Sequence, residues 1–147
     1  MYQALIVEDN TTFRRSLREL LCSRFPSMTI REAKDGNEAL AEMEAHIPHL
    51  VFMDIRLPGA NGLEITKRIK AGYDGVVVIV LTSYDLPEYR EAAYRSGASH
   101  FFAKGSTSCE EITGLVESVI SAIQVEPARN VGLRTISESR AQKMSGD

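Results

Sequence analysis

The chain has 147 residues, 44% hydrophobic and 25% charged, with a formal net charge of −3 at pH 7. These are ordinary values for one globular domain with a sizeable core. There is no basic surplus to argue for nucleic-acid binding by this chain alone, and no charged tract long enough for an interaction tail.

The N-terminal segment MYQALIVEDN lacks a basic n-region, and its apolar run stops at the acid pair Glu8–Asp9, so it reads as a first strand, Ala4–Glu8, and not as a signal peptide. Phe13, Leu17, Leu20 and Leu21 then recur at helical period. A second strand, Met28–Ala33, alternates in polarity, and Ala39, Leu40 and Met43 mark a second helix. The third strand, Leu50–Met53, is apolar throughout and ends on Asp54. Pro58 and Gly62 follow as turn residues, and a third helix carrying Leu63, Ile65 and Ile69 starts at an Asn61 cap.

The fourth strand, Val76–Leu81, is the longest strictly apolar run and far too short to span a membrane. The helix after it, within SYDLPEYREAAYRSG, offers only Tyr89, Ala92, Ala93 and Ser96 as a thin inner face, the mark of a weakly anchored segment. A short fifth strand, His100–Ala103, leads to Lys104. Ser108 and Glu111 form a capping box for the last helix, whose apolar stripe runs Ile112, Leu115, Val116, Val119, Ile120 and Ile123.

Five consecutive βα units imply an α/β domain with a five-stranded parallel sheet and helices on both faces. Strands buried on both faces are continuously apolar, and edge strands are not. The first, third and fourth strands belong inside on that criterion, which gives the flavodoxin-like, doubly wound order 2-1-3-4-5. Residues 1–124 make up this domain. Residues 125–147 read as a polar linker or C-terminal extension, or as the start of a missing output domain, with a short helix near Thr135–Met144. Cys22 and Cys109 show no CxxC spacing and read as free thiols in a reducing cytoplasm. His46, His49 and His100 show no metal-ligand spacing and read as surface or strand-edge residues.

Ligands of a doubly wound sheet bind outside the carboxyl ends of its strands. Those ends carry Glu8 and Asp9, then Asp54, then Thr82 and Ser83, then Lys104. Three close carboxylates repel one another unless a hard cation joins them, which points to Mg²⁺ held by Glu8, Asp9 and Asp54, with a backbone carbonyl near Arg56 as a further oxygen donor. The first βα turn, EDNTTF, has no glycine, which argues against a nucleotide site. Asp54 is then a candidate nucleophile toward an activated phosphoryl group, with Mg²⁺, Lys104 and Thr82 each facing one phosphoryl oxygen. Taken singly, each residue has a plainer reading. Asp9 or Asn10 could cap the first helix, Asp54 could be an ordinary strand-end acid, Thr82 or Ser83 could cap the fourth helix, and Lys104 could be surface charge.

The segments VEDN, MDIRLPGANGLE, VIVLTSYD and SGASHFFAKGS, in this order and spacing over residues 3 to about 123, resemble the response-regulator receiver domain of two-component signalling. The resemblance implies that Asp54 accepts a phosphoryl group from the phosphohistidine of a histidine kinase. It implies Mg²⁺ binding by Glu8, Asp9 and Asp54, and phosphoryl contacts from Thr82 and Lys104. Phe101 stands at the family's switch aromatic. With Thr82 moving toward the phosphate, it would turn into the vacated space and remodel the face of the fourth helix, fifth strand and fifth helix. Two departures stand out. Gly105 replaces the proline usual after the lysine, where a cis bond would cost about 3–4 kcal/mol, and Phe101 replaces tyrosine, so it can bury but has no hydroxyl. Glycine after the lysine is similar to receivers joined to helix-turn-helix DNA-binding domains, so a transcriptional output is expected if such a domain follows. The chain is expected to modify itself and not to turn over an external substrate. A homodimer through the fourth-helix or first-helix face is compatible with the pattern. A stand-alone receiver and a phosphorylation-independent scaffold are the alternatives. A metal-dependent phosphatase would want an acid two residues after Asp54, where Arg56 stands.

Overall fold

The structure, a computed structural model, describes residues 2–125, with side chains through residue 123. The expected helix near Thr135–Met144 and the 125–147 extension lie outside the described residues, apart from Val125 at the end of the last helix. The elements run β1 (Gln3–Val7), α1 (Thr11–Arg24), β2 (Thr29–Ala33), α2 (Gly36–Ala45), β3 (Leu50–Met53), β4 (Arg56–Leu57), β5 (Ala60–Asn61), α3 (Gly62–Gly72), β6 (Val77–Thr82), α4 (Pro87–Arg95), β7 (His100–Ala103) and α5 (Cys109–Val125). The chain divides into one compact unit over Met1–Thr113 and a second from Gly114 onward, with the division inside α5.

The main sheet has the order β2-β1-β3-β6-β7, and every pairing in it is parallel. This is the expected flavodoxin-like order, with β6 and β7 as the fourth and fifth strands. The three inner strands are those with unbroken apolar sequence. Leu5, Ile6, Val7, all of β3 and Val78 to Leu81 are at most 2% exposed. Burying an aliphatic or aromatic side chain of this kind contributes about 1.5–3 kcal/mol, so the inner strands supply much of the driving force for the fold. The alternating strand, β2, lies at one edge as its pattern requires.

Side chains alternate across a sheet. Leu5, Val7, Val51, Met53, Val78, Val80 and Phe101 therefore share one face, in a cluster with Ala39, Met43, Ile65, Ile69 and Ala93 from α2, α3 and α4. Asn10 caps α1 through the Phe13 amide, Asp35 caps α2 through the Glu38 amide, and Asn61 caps α3 through the Leu63 amide. The Ser108–Glu111 capping box forms in both directions, at 3.0 and 2.8 Å. Capping by Thr82 or Ser83 does not occur, because α4 starts three residues later, at Leu86 and Pro87, without a side-chain cap. Within α4 only Ala93 is buried, in keeping with its thin apolar face.

Sequence periodicity gave no sign of the antiparallel pair β4–β5, which turns on Pro58 and on Gly59 at a φ of 67°. This hairpin delivers Gly62 to the first position of α3, directly against the backbone of Asp54. A Cβ at Gly62 would overlap the Asp54 carbonyl oxygen. Gly62 is thus more than a turn residue, since its missing side chain lets α3 start beside the acid. Replacing Gly62 with alanine must move one of these two backbones and is expected to cost about 1–3 kcal/mol, read as a lower denaturant midpoint. Gly72 ends the same helix with open space around it, so Gly72→Ala should be neutral or stabilising by up to about 1 kcal/mol. A Gly62→Ala chain as stable as Gly72→Ala would contradict this packing.

Candidate functional site

Sheet register builds the site. Val7 is aligned with Met53, and the Asp54 amide donates to the Val7 carbonyl at 3.1 Å. The next residues on β1 and β3, Glu8 and Asp54, therefore emerge side by side. Thr82 is aligned with Ala103, and the Lys104 amide donates to the Thr82 carbonyl at 2.8 Å. The same rim thus receives Lys104 two strands away.

The carboxylates of Glu8, Asp9 and Asp54 offer oxygens that all lie within 4.8 Å of one another. Glu8 and Asp54 are buried, and Asp9 is exposed at the mouth. The Lys104 ammonium bridges the two buried acids, 2.6 Å from Glu8 Oε1 and 3.2 Å from Asp54 Oδ2. It also lies 4.3 Å from the centre of the Phe13 ring, so the cation has an aromatic wall as well as two anions. The other oxygens of both acids are held too. Asp54 Oδ1 accepts from the Ile55 amide at 2.7 Å, and Glu8 Oε2 accepts from the Asn10 amide at 3.0 Å.

Burial pushes the Glu8 carboxyl above its ordinary pKa. The Lys104 and Asn10 hydrogen bonds oppose that shift, and the Asp54 charge adds to it. Burial pulls the Lys104 ammonium down, but its hydrogen bond to Glu8 and the charges of Asp54 and Glu8 outweigh this, and its pKa is raised. A buried acid whose pKa is raised by burial, beside two other carboxylates, is part of a donor set that a hard divalent cation would satisfy. The residues present fit Mg²⁺.

Of the residues expected to converge, Glu8, Asp9, Asp54 and Lys104 do so. Thr82 is fully buried at the end of β6, and its hydroxyl accepts from the Tyr84 amide at 3.3 Å. The Arg56 guanidinium lies 4.9 Å from the Tyr84 ring centre. Phe101 is already buried, on the same face of the sheet as Thr82, and the Arg90 guanidinium lies 4.7 Å from its ring centre. No peptide bond among the described residues is cis, so Lys104–Gly105 is trans. Two features were not foreseen, the direct Lys104–Glu8 pair and an arginine network behind the acid loop. The only sequence signal for the pair was opposite charge on the same rim.

With the fold and this pocket in place, comparison with known proteins is decisive about family. A sequence profile for the response regulator receiver domain matches residues 4–117. The chain belongs to that family, the receiver domains of two-component response regulators. An uncharacterised response regulatory protein of Vibrio cholerae is 31% identical over 131 residues, covering 88% of this chain and 48% of that protein. The transcriptional regulatory protein LnrK of Bacillus subtilis is 33% identical over 127 residues, covering 86% of this chain and 57% of that protein. Among solved structures, the N-terminal domain of an uncharacterised Wolinella succinogenes protein has a TM-score of 0.77 at 30% identity, covering 85% of this chain and 98% of that one. The chain spans about half the length of the curated relatives it matches. No helix among the described residues is long and apolar enough to cross a membrane.

Lys104→Met leaves Glu8 and Asp54 buried together without their cation. Removing one partner of a buried pair costs about 3 kcal/mol or more. A loss of about 3 kcal/mol is therefore expected at neutral pH without metal. A carboxyl with a raised folded pKa contributes stability below its unfolded pKa, and that contribution is lost as pH rises through the folded value. The variant's deficit should therefore shrink on acidification through the Glu8 range, and added Mg²⁺ should recover part of it at neutral pH. Equal stability of variant and parent in metal-free urea titrations at neutral pH would contradict the pairing.

Proposed function

We propose that this domain is a phosphoacceptor switch, which takes a phosphoryl group from the phosphohistidine of a cognate histidine kinase onto Asp54. The single observation that carries the reading is the convergence of two further carboxylates, Glu8 and Asp9, and one ammonium on the buried Asp54 at the carboxyl edge of the sheet. Glu8, Asp9 and Asp54 would hold Mg²⁺, with the Arg56 backbone carbonyl as a further oxygen donor. The bound ion supplies positive charge to the carboxylates and to the phosphoryl oxygens.

An Asp54 carboxylate oxygen attacks phosphorus while the P–N bond of the phosphohistidine breaks, and the leaving imidazole nitrogen keeps the electron pair. The product is an acyl phosphate on Asp54 and a free kinase histidine. The Ile55 amide holds the carboxylate in a fixed plane for in-line approach. Lys104, already on Asp54 Oδ2, needs only a short movement to pair with a phosphoryl oxygen. Thr82 exchanges its bond to the Tyr84 amide for one to another phosphoryl oxygen. Phe101, on the same face as Thr82, then repacks against α4, which holds few buried contacts of its own. The chain catalyses transfer onto itself and turns over no external substrate. Where a DNA-binding domain follows the receiver, the output is transcriptional, as the names of several relatives suggest.

Incubation with Mg²⁺ and acetyl phosphate, followed by intact mass measurement, tests the reading. One phosphoryl group per chain is expected, lost on Asp54→Asn substitution and on chelation of the metal. A protein that acquires no adduct from acetyl phosphate or from any phosphorylated kinase is instead a scaffold that works without phosphorylation.

A further inference from the structure

Glu8 sits in a first loop with no glycine, yet its backbone is fixed on both sides. Its amide donates to the Ala33 carbonyl at 2.9 Å, and its carbonyl accepts from Arg14 Nη1 at 2.7 Å. Arg14 reaches back from the first turn of α1, and its side chain is 17% exposed. Its guanidinium is itself held, since Nε donates to Glu32 Oε1 at 2.7 Å. The second Glu32 oxygen accepts from Arg18 at 2.8 Å, and Arg18 also donates to the Ile30 carbonyl at 3.0 Å. A continuous set of charge-assisted hydrogen bonds therefore runs from the edge strand β2 through Glu32 and Arg14 to the backbone of the metal-side acid.

We infer that Arg14 is a positioning residue that sets the course of the Glu8–Asp9 loop for the metal, anchored through Glu32 to the sheet edge. The inference rests on the phosphoacceptor reading above. A planar guanidinium can bind a carboxylate and a carbonyl at once, which a lysine ammonium does less rigidly. Groups that orient metal ligands in this way typically change affinity by 10–100-fold when removed.

The sign of the effect separates positioning from plain electrostatics. Arg14 is a cation close to the acids, so deleting it would tighten Mg²⁺ binding if charge alone mattered. Positioning requires the opposite. The test uses the full 147-residue chain, isothermal titration with Mg²⁺ alone, acetyl phosphate kinetics at varied Mg²⁺, and thermal unfolding as a control for folding. Arg14→Gln is expected to raise the Mg²⁺ dissociation constant about tenfold. The limiting rate at saturating Mg²⁺ should stay within about threefold of the parent, because Asp54, Thr82 and Lys104 are untouched. Arg14→Lys keeps the charge and part of the contact, and should recover much of the affinity even if Arg14→Gln folds poorly. Arg18→Gln removes a Glu32 contact without touching Glu8 and should leave Mg²⁺ affinity within about twofold. Unchanged or tighter Mg²⁺ binding by Arg14→Gln overturns the inference alone, as does an equal loss in Arg18→Gln. No Mg²⁺ uptake by the unaltered chain overturns both the inference and the phosphoacceptor reading.

Discussion

The arrangement depends on one ammonium between two buried carboxylates. Glu8 and Asp54 emerge from adjacent strands because the register of β1 and β3 puts them there, and parallel pairing leaves little freedom to separate them. Two anions at that distance, out of water, repel strongly. Lys104 makes the rim tolerable by touching both. The same constraint makes the site responsive, because a divalent cation and a phosphoryl group each change the charge that Lys104 is balancing. A residue that stabilises the resting pocket is thus free to move when that balance changes.

Backbone packing supports this charge arrangement from below. α3 starts on Gly62, which lets it lie against the Asp54 carbonyl, and the Gly62 amide donates to the Ile55 carbonyl at 2.7 Å. Ile55 in turn holds Asp54 Oδ1. The nucleophile candidate is therefore fixed by a short covalent and hydrogen-bonded circuit, while α4, with only Ala93 buried, is held by a thin apolar face that resists movement less. Arg90 lies over Phe101 and reaches Asp85 at 3.6 Å, so a single exposed side chain links the α4 entry loop to the buried aromatic.

Much of the fold was legible in the sequence because hydrophobic runs report burial directly. Leu50–Met53 and His100–Ala103 match the observed strands, and the others shift by a residue at one or both ends, where pairing and not polarity sets the limit. The inner strands could be ordered because only strands covered on both faces stay apolar throughout. The β4–β5 hairpin escaped notice since two-residue strands have no period to detect. Gly62 was legible as a glycine but not for its reason, because a steric exclusion by a carbonyl eight residues back leaves no trace in local pattern. The convergence of Glu8, Asp9, Asp54 and Lys104 followed from strand order plus the rule for strand ends. The Lys104–Glu8 contact and the Arg14–Glu32 network depend on side-chain reach, which one sequence does not encode visibly.

The central claim is that these charged groups act as one unit around Asp54. Carbon-detected NMR of the side-chain carboxyls, with the Lys104 Nζ followed in parallel during a Mg²⁺ titration, addresses it directly. The account predicts that Glu8, Asp9, Asp54 and Lys104 all move along one binding curve with a single dissociation constant, while acids outside the rim and its supporting network, such as Glu44, stay still. Separate curves for Glu8 and Asp54, or a Lys104 signal indifferent to the metal, would contradict it.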